Sequence, residues 1–309
     1  MSAAPAALAA IGRRLADTWR GIVIVLPYLW LACFFLAPFA IVLKISLAQS
    51  LETQPPYTAF LEWTGEAAVA VKIYLGNFIF LTTDRLYVVA YLNSLKIAFI
   101  STVLCLLVGY PIAYAIARSP RSSQRVYLLL VMLPFWTSFL LRIYAWMGLL
   151  NKNGLINAVL VGIGIIDQPI TMMNTEFAVY LGIVYSYLPF MVLPLYVTLE
   201  RLDESLREAA MDLGSRPARV FFDVTLPLSM PGMIAGALLV FIPATGEYVI
   251  PALLGSPSSP MIGRVIFDEF YSNRDWPVAS AVAVVLLLLL VLPILAFQHY
   301  QAKDQEGAT

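Results

Sequence analysis

Glu208-Ala209-Ala210-Met211-Asp212-Leu213-Gly214, with Val224-Thr225-Leu226-Pro227 ten to thirteen residues further on, decides how this chain is read. The first segment has the marks of a short helix. Ser205 and Glu208 stand three apart, the spacing of a capping box in which two otherwise unpaired backbone donors are satisfied. Leu206, Ala209, Ala210 and Leu213 recur at helical spacing and form one apolar stripe. Gly214 stands where a helix ending in a left-handed turn wants a glycine. The two alanines let another surface come close. A helix this short is not stable alone in water, so the pattern predicts that it docks onto something.

The surroundings of that helix are apolar. Hydrophobic residues make up 61% of the chain and charged residues 12%, against about a quarter charged in soluble domains. Runs long enough to cross a bilayer occur at 21–43, 92–117, 126–150, 177–199, 231–254 and 277–298. The first is too long for the apolar core of a secretory signal and has no small-residue cleavage site. The expectation is an all-α membrane protein of six transmembrane helices, with no internal repeat, and the helical segment lies in the loop 200–229 before the fifth span.

Positive charge sets the orientation. With the N-terminus inside, eleven lysines and arginines fall in inner segments, among them Arg13, Arg14, Arg118, Arg121, Arg207 and Arg219. Five fall outside: Lys72, Arg85, Lys152, Arg264 and Arg274. The tails 1–20 and 299–309 and the 200–229 loop are therefore expected in the cytoplasm. A net charge of zero hides this sidedness, and no basic patch calls for nucleic acid.

Cys33 and Cys105 both lie in apolar spans and read as small buried hydrophobes. His299 is the one histidine, which excludes histidine-based metal or triad chemistry. None of the five lysines follows a glycine, so the chain has no phosphate-binding loop of the G-x-x-x-x-G-K-[ST] kind. If ATP drives this protein, another chain hydrolyses it.

Two outer segments could meet a partner. One is the connection of about forty residues that carries Tyr57, Phe60, Trp63, Tyr74, Glu62 and Glu66, and the other runs from Gly255 to Pro277. Loops this long usually carry structure or a docking surface. Prolines at 27, 38, 111, 134, 189, 194, 243, 251 and 293 interrupt the spans, and each removes a backbone donor and tends to kink its helix.

Charges inside the spans narrow the site. Each costs about 2.5–3.5 kcal/mol at a helix centre. Arg142 and Glu247 both stand about 24 Å from the inner ends of their spans, at 1.5 Å per residue. Either they pair with each other, or the arginine snorkels to the interface, or Glu247 faces a pathway and meets a cationic solute.

The spaced motif, with Val224 in its aliphatic slot, resembles the coupling loop of ABC importer permeases. In that family Glu-Ala-Ala, three residues, Gly, nine residues, an aliphatic residue, any residue and Leu-Pro recur. Leu107–Pro111, Leu133–Phe139, Arg142–Trp146, Leu188–Pro194 and Asn273–Pro277 resemble the polyamine branch, the PotB and PotH type. Gly246–Pro251 and Met261–Val265 look closer to its putrescine members, the PotH type, than to its spermidine members.

The resemblance implies a type I (MetI-like) importer permease of a bacterial inner membrane, without catalysis or cofactor of its own. It implies a second homologous permease, a homodimeric ATPase carrying ATP and magnesium, and an extracytoplasmic polyamine-binding protein. Ser205, Leu206, Glu208, Ala209, Ala210, Leu213 and Gly214 would couple to the ATPase. A polyamine presents separated ammonium groups on an apolar stem, which calls for carboxylates and aromatic faces. Glu247, Asp268 and Glu269, with Trp136, Tyr144, Trp146, Tyr185 and Tyr187, are the candidates. The competing readings are a permease of the same fold for another small solute and an ATP-independent carrier or channel.

Overall fold

The computed structural model describes residues 23–59, 61–63 and 69–306. The expected N-terminal tail 1–20, the first two residues of the first span, Phe60, Glu66 and the last three residues lie outside the described residues. Among the described residues, four helices are long and apolar enough to cross a membrane, and up to six spans result if each of two bent helix pairs counts as one. The chain divides into two compact units: Met1–Phe78 with Arg274–Val284, and Ile79–Asn273 with Val285–Thr309.

In the first unit, α1 (Val23–Ser46) is strongly apolar up to Lys44 in its last turn, and none of its most hydrophobic window is buried. It widens into a π-turn at Ala32–Leu36, just ahead of Pro38. The proline has no N–H to give and its ring crowds the carbonyl four residues back, so the preceding turn loosens. The outer connection that follows is structured. Strands β1 (Leu61–Trp63) and β2 (Val69–Val71) pair antiparallel, Glu62 opposite Ala70. Asn77 donates from Nδ2 to the carbonyls of Ser46 and Ala48, at 2.9 and 2.8 Å, and so ties the start of α2 (Gly76–Thr83) to the end of α1.

The second unit is built on α3 (Arg85–Arg118), α7 (Glu176–Glu200) and α10 (Met230–Thr245), which pack on one another. Asp84 caps α3, accepting the Leu86 N–H at 2.8 Å. Small residues bring the helices together, as is usual between membrane helices. A Cβ on Gly236 would stand 2.8 Å from the Met191 sulfur. Met191, Val192, Leu195, Cys105 and Val240 fill that seam and are fully buried.

Two spans differ from the expectation. The third, read as one helix over 126–150, is two helices bent by 88°, Arg121–Trp136 and Phe139–Gly162. α4 (Arg121–Met132) passes into a 3-10 turn at Leu133–Trp136. Thr137 and Ser138 are then extended before α5 (Phe139–Leu150) and α6 (Leu155–Gly162). Pro134 breaks the ladder, and its carbonyl is taken by the Thr137 N–H and hydroxyl, at 3.3 and 2.8 Å. The fifth span, read as 231–254, ends its helix at Thr245. Gly246, Glu247 and Tyr248 separate it from α11 (Val249–Leu254). Ahead of α10, the segment Pro217–Leu228 meets it at 62°.

Between these lie α8 (Glu204–Asp212) and α9 (Pro217–Val220), the latter continued by a π-turn at Phe221–Thr225. Beyond α11, α12 (Ile262–Phe267) leads into a third π-turn, Asp268–Ser272. The last helix, α13 (Trp276–Glu306), runs past the expected end of the sixth span at 298.

Candidate functional site

Two places in the second unit carry the residues singled out by sequence: the loop helix α8 and the break after α10. At α8 the cap is not Ser205. Asp203 is the capping residue, its Oδ1 accepting the Ser205 N–H at 3.0 Å, and Glu208 takes no part. The helix starts at Glu204, which puts Ser205 inside the first turn and Asp203 at the cap, where its carboxylate also meets the positive end of the helix dipole. The same hydrogen bonds hold the Asp203 carboxyl below the ordinary aspartate range. Glu204 accepts from Arg118 at 2.8 Å and also pairs with Arg207, which fastens the helix start to the end of α3.

The far end follows the expectation. Gly214 has φ +84°, its N–H reaches the Met211 carbonyl at 2.8 Å, and the Ser215 N–H reaches Ala210 at 3.1 Å. This is the paired hydrogen-bond closure of a helix that ends in a left-handed residue. No residue of α8 is buried. Leu206 is 49% exposed and Leu213 87% exposed, so the apolar stripe has nothing over it.

The return path from α8 is anchored. Phe221 meets Tyr110 and Tyr114 edge-on, with ring centroids 5.6 and 5.8 Å apart. Tyr110 shares a 2.9 Å hydrogen bond with Ser229, at the joint before α10. Packed aromatic rings thus join the segment after α8 to α3, and the Tyr110–Ser229 bond joins α3 to the start of α10.

At the break after α10, Glu247 is 8% exposed. Its Oε1 accepts the Val249 N–H at 3.0 Å, capping α11, and its Oε2 accepts the Tyr187 hydroxyl. An ionised carboxylate has about four acceptor positions, so Oε2 can take one more donor. Gly263 lets α12 close over the break: a Cβ there would stand 2.3 Å from the Gly246 carbonyl oxygen.

Glu247 does not pair with Arg142. The arginine has Nε and Nη1 buried without an acceptor, and its guanidinium lies over Phe135 and Phe139, 5.7 and 5.5 Å from the ring centroids. Phe135 meets Phe190 edge-on at 5.1 Å, and Phe190 lies 6.0 Å from Tyr187. A line of rings thus joins the arginine to the tyrosine that holds Glu247, where an ion pair was one expectation.

The other candidates scatter. Trp146 and Tyr185 meet edge-on at 5.4 Å, whereas Trp136 and Tyr144 are exposed. Asp268 and Glu269 line a separate cleft of about 420 Å³ with Leu86, Arg264 and Asn273. Glu269 is buried there and accepts from Tyr87 at 2.7 Å and Asn273 at 2.9 Å, while Asp268 faces Arg264 at 3.7 Å. Sequence reasoning missed Glu176 and Tyr180 of α7, which stand at i, i+4 on one face. Glu176 accepts from Lys96 of α3 through both oxygens, at 2.9 and 2.8 Å, and from Tyr180 at 3.4 Å.

Residues 106–304 match the family of binding-protein-dependent transport system inner membrane components. Over 287 residues the chain is 41% identical to the spermidine/putrescine transport system permease protein PotB of Haemophilus influenzae, covering 93% of this chain and 95% of that protein. Its fold is similar to a bacterial alginate ABC transporter solved with an alginate pentasaccharide-bound periplasmic protein (TM-score 0.72, 16% identity, 94% of this chain and 97% of that one). It is also similar to the inward-facing MetNI methionine ABC transporter (TM-score 0.51, 19% identity, 68% and 92%). At such identities the solved structures share the fold alone. By the family match and the relative that spans nearly its whole length, the chain belongs to the binding-protein-dependent inner-membrane permeases of ABC importers, whose ATPase is a separate subunit.

Proposed function

We propose that this chain forms half of the translocation pathway of an ATP-driven polyamine importer, with spermidine or putrescine as cargo. The observation that carries the reading is the 41% identity to a spermidine/putrescine permease across 93% of the chain. The chemistry agrees with it. Glu247 is a buried carboxylate with an acceptor position left, Tyr187 stands beside it, and Phe190 lies next to that tyrosine. A putrescine preference of the PotH kind is the finer reading and rests on Gly246–Pro251 and Met261–Val265.

The stripe of α8, with Leu206, Ala209 and Leu213 exposed and Ala210 half-buried, is the surface for the ATPase homodimer, with Glu208 beside it. Asp203 and Gly214 fix its two ends, and Ser205 lies in the first turn. Both termini and this loop lie in the cytoplasm by the distribution of positive charge. A second permease completes the pathway, and a polyamine-binding protein delivers the cargo from outside. ATP binding and hydrolysis on the separate subunit bias inward- and outward-facing states. An ATP-independent carrier fits poorly beside a family defined by its binding protein.

The test is reconstitution of the chain in liposomes with the second permease, the ATPase and the binding protein. Labelled putrescine or spermidine should accumulate only with ATP and binding protein on their proper sides. Accumulation of neither, from a complex whose ATPase responds to a binding protein loaded with another solute, would assign the chain to that solute.

A further inference from the structure

Lys96 and Glu176 form an ion pair across α3 and α7 that packing does not require. Among the described residues these two helices are the most extensively packed pair, and their seam is filled by buried side chains such as Cys105, Met191 and Val192. The ion pair lies outside that seam, with its side chains 49% and 38% exposed. Exposed pairs of this kind contribute about 0–1 kcal/mol. As a brace it adds little, and as a bound group it is easily exchanged.

The group that Lys96 presents is a primary ammonium on a methylene stem, and the end of a polyamine is the same. The fold therefore already displays a bound alkylammonium. Its nitrogen stands 2.9 and 2.8 Å from the two oxygens of Glu176, and the Tyr180 hydroxyl supports Oε2 at 3.4 Å. The arrangement repeats deeper along α7, where Tyr187 supports Glu247. Tyr180 and Tyr187 are seven residues apart, which is about 10 Å along the helix axis and only about 20° off the same stripe. Both rings pack against the same buried cluster. Two tyrosine-supported carboxylates thus follow one face of α7, one open and filled by the protein's own ammonium, the other buried with an acceptor position left.

We propose that Glu176 and Tyr180 are an outer station for a primary ammonium of the cargo, which Lys96 occupies when no cargo is there. The inference rests on the polyamine reading above and adds a residue set to it. Cargo arriving from outside displaces Lys96, and one end of the cargo then lies on the stripe that leads to Glu247. On departure Lys96 returns, so the exposed carboxylate never stands without a cation.

A brace and an occupied station differ in the sign of their variants. Loss of either half of a brace has the same effect, whereas loss of a competitor and loss of its site have opposite effects. In the reconstituted complex, putrescine uptake is measured over a range of loaded binding protein for Lys96→Met and Glu176→Gln. Co-purification of the other subunits is checked for each. Lys96→Met should raise kcat/KM by about two- to fivefold, the worth of one exposed pair, and Glu176→Gln should lower it at least as much. Tyr180→Phe, which removes one hydroxyl and leaves the ion pair, should lower it less than Glu176→Gln. Any pattern in which Lys96→Met and Glu176→Gln do not move kcat/KM in opposite directions overturns the station and leaves the polyamine reading standing. Failure of the wild-type complex to take up any polyamine removes that reading, and the station with it.

Discussion

The helix α8 and the break at Glu247 are both short polar interruptions in an apolar chain, yet they are finished differently. At α8 the backbone is satisfied within a dozen residues, by Asp203 at one end and Gly214 at the other, and the apolar side chains are left bare. At the break the partners come from inside the fold, with one acceptor position of the carboxylate left over: the carboxylate caps α11, a tyrosine from α7 holds it, and α12 closes over it. The first region is locally complete and globally unfinished, as suits a surface awaiting another chain. The second exists only when three distant helices are in place, as suits a site that must hold one geometry while the subunits around it move.

That contrast can be broken most forcefully at Gly214. A Cβ there would meet nothing within 4 Å, so the cost of a side chain is purely one of backbone at φ +84°. Gly214→Val should abolish most uptake and most ATPase stimulation by loaded binding protein, with insertion into the membrane unchanged, whereas Gly214→Asn should keep much of both. Wild-type coupling in the valine variant would remove the mechanical importance of that turn.

Next in size is Glu247. Glu247→Gln keeps an oxygen for the Val249 N–H and turns an amide NH2 toward the Tyr187 hydroxyl oxygen, to which it can donate. The charge goes while both neighbours stay hydrogen-bonded, so the complex should remain assembled while uptake falls tenfold or more. ATPase activity without cargo should not move. Glu247→Leu should be different in kind. It takes the polar partner from both the Val249 N–H and the Tyr187 hydroxyl, and a buried polar group left unmet typically costs about 1–3 kcal/mol, so thermal stability falls as well. If the glutamine variant transports normally, the carboxylate is a helix cap and nothing more.

Arg142 sharpens the same comparison from the other side. Breaking a buried ion pair typically costs about 3–5 kcal/mol, but this arginine has rings where a carboxylate would be. Arg142→Met should therefore cost no more than the cation–π contact, about 0.5–2 kcal/mol, as read by thermal unfolding of the purified complex. A loss in the larger range would reveal an acidic partner on another chain.

The smallest effect belongs to Asp203. Its carboxyl is held below the ordinary range by the hydrogen bonds it accepts, so its capping is present above the pKa of an unfolded aspartate and is lost as pH falls through the depressed value. Amide exchange at the start of α8 should speed up on acidification over that window in the wild type. In Asp203→Asn, which caps without titrating, it should show no such step.

What the sequence disclosed follows the same division. The stripe of α8 and its glycine stop were legible because they depend on residues within one or two turns. The cap was misplaced because two acceptors, Asp203 and Ser205, stand close together, and letters alone do not rank a carboxylate against a hydroxyl. Glu247 was legible as a charge in an apolar span, but its tyrosine comes from 60 residues away, and only packing brings them together. Prolines were visible everywhere and told less. Pro111 sits inside an unbroken α3, whereas Pro134 ends a helix, because the turn at Thr137 and Ser138 takes up its carbonyl and an extended backbone. The Lys96–Glu176 pair was hidden because each residue, taken alone, reads as the polar end of a span.

The central claim is that α8 is a surface completed by another chain, and one residue tests it directly. Leu213 is the most exposed apolar side chain of the stripe. In a Cys33→Ser background, which removes the exposed native thiol, Leu213→Cys is treated with a membrane-impermeant thiol reagent applied to the cytoplasmic face. The reaction is run with the permease pair alone and again after the ATPase has been added. The account predicts ready labelling before assembly, protection after it, and cross-linking to the ATPase by a short bifunctional reagent. Equal labelling before and after, in a complex that still transports with ATP, would contradict it.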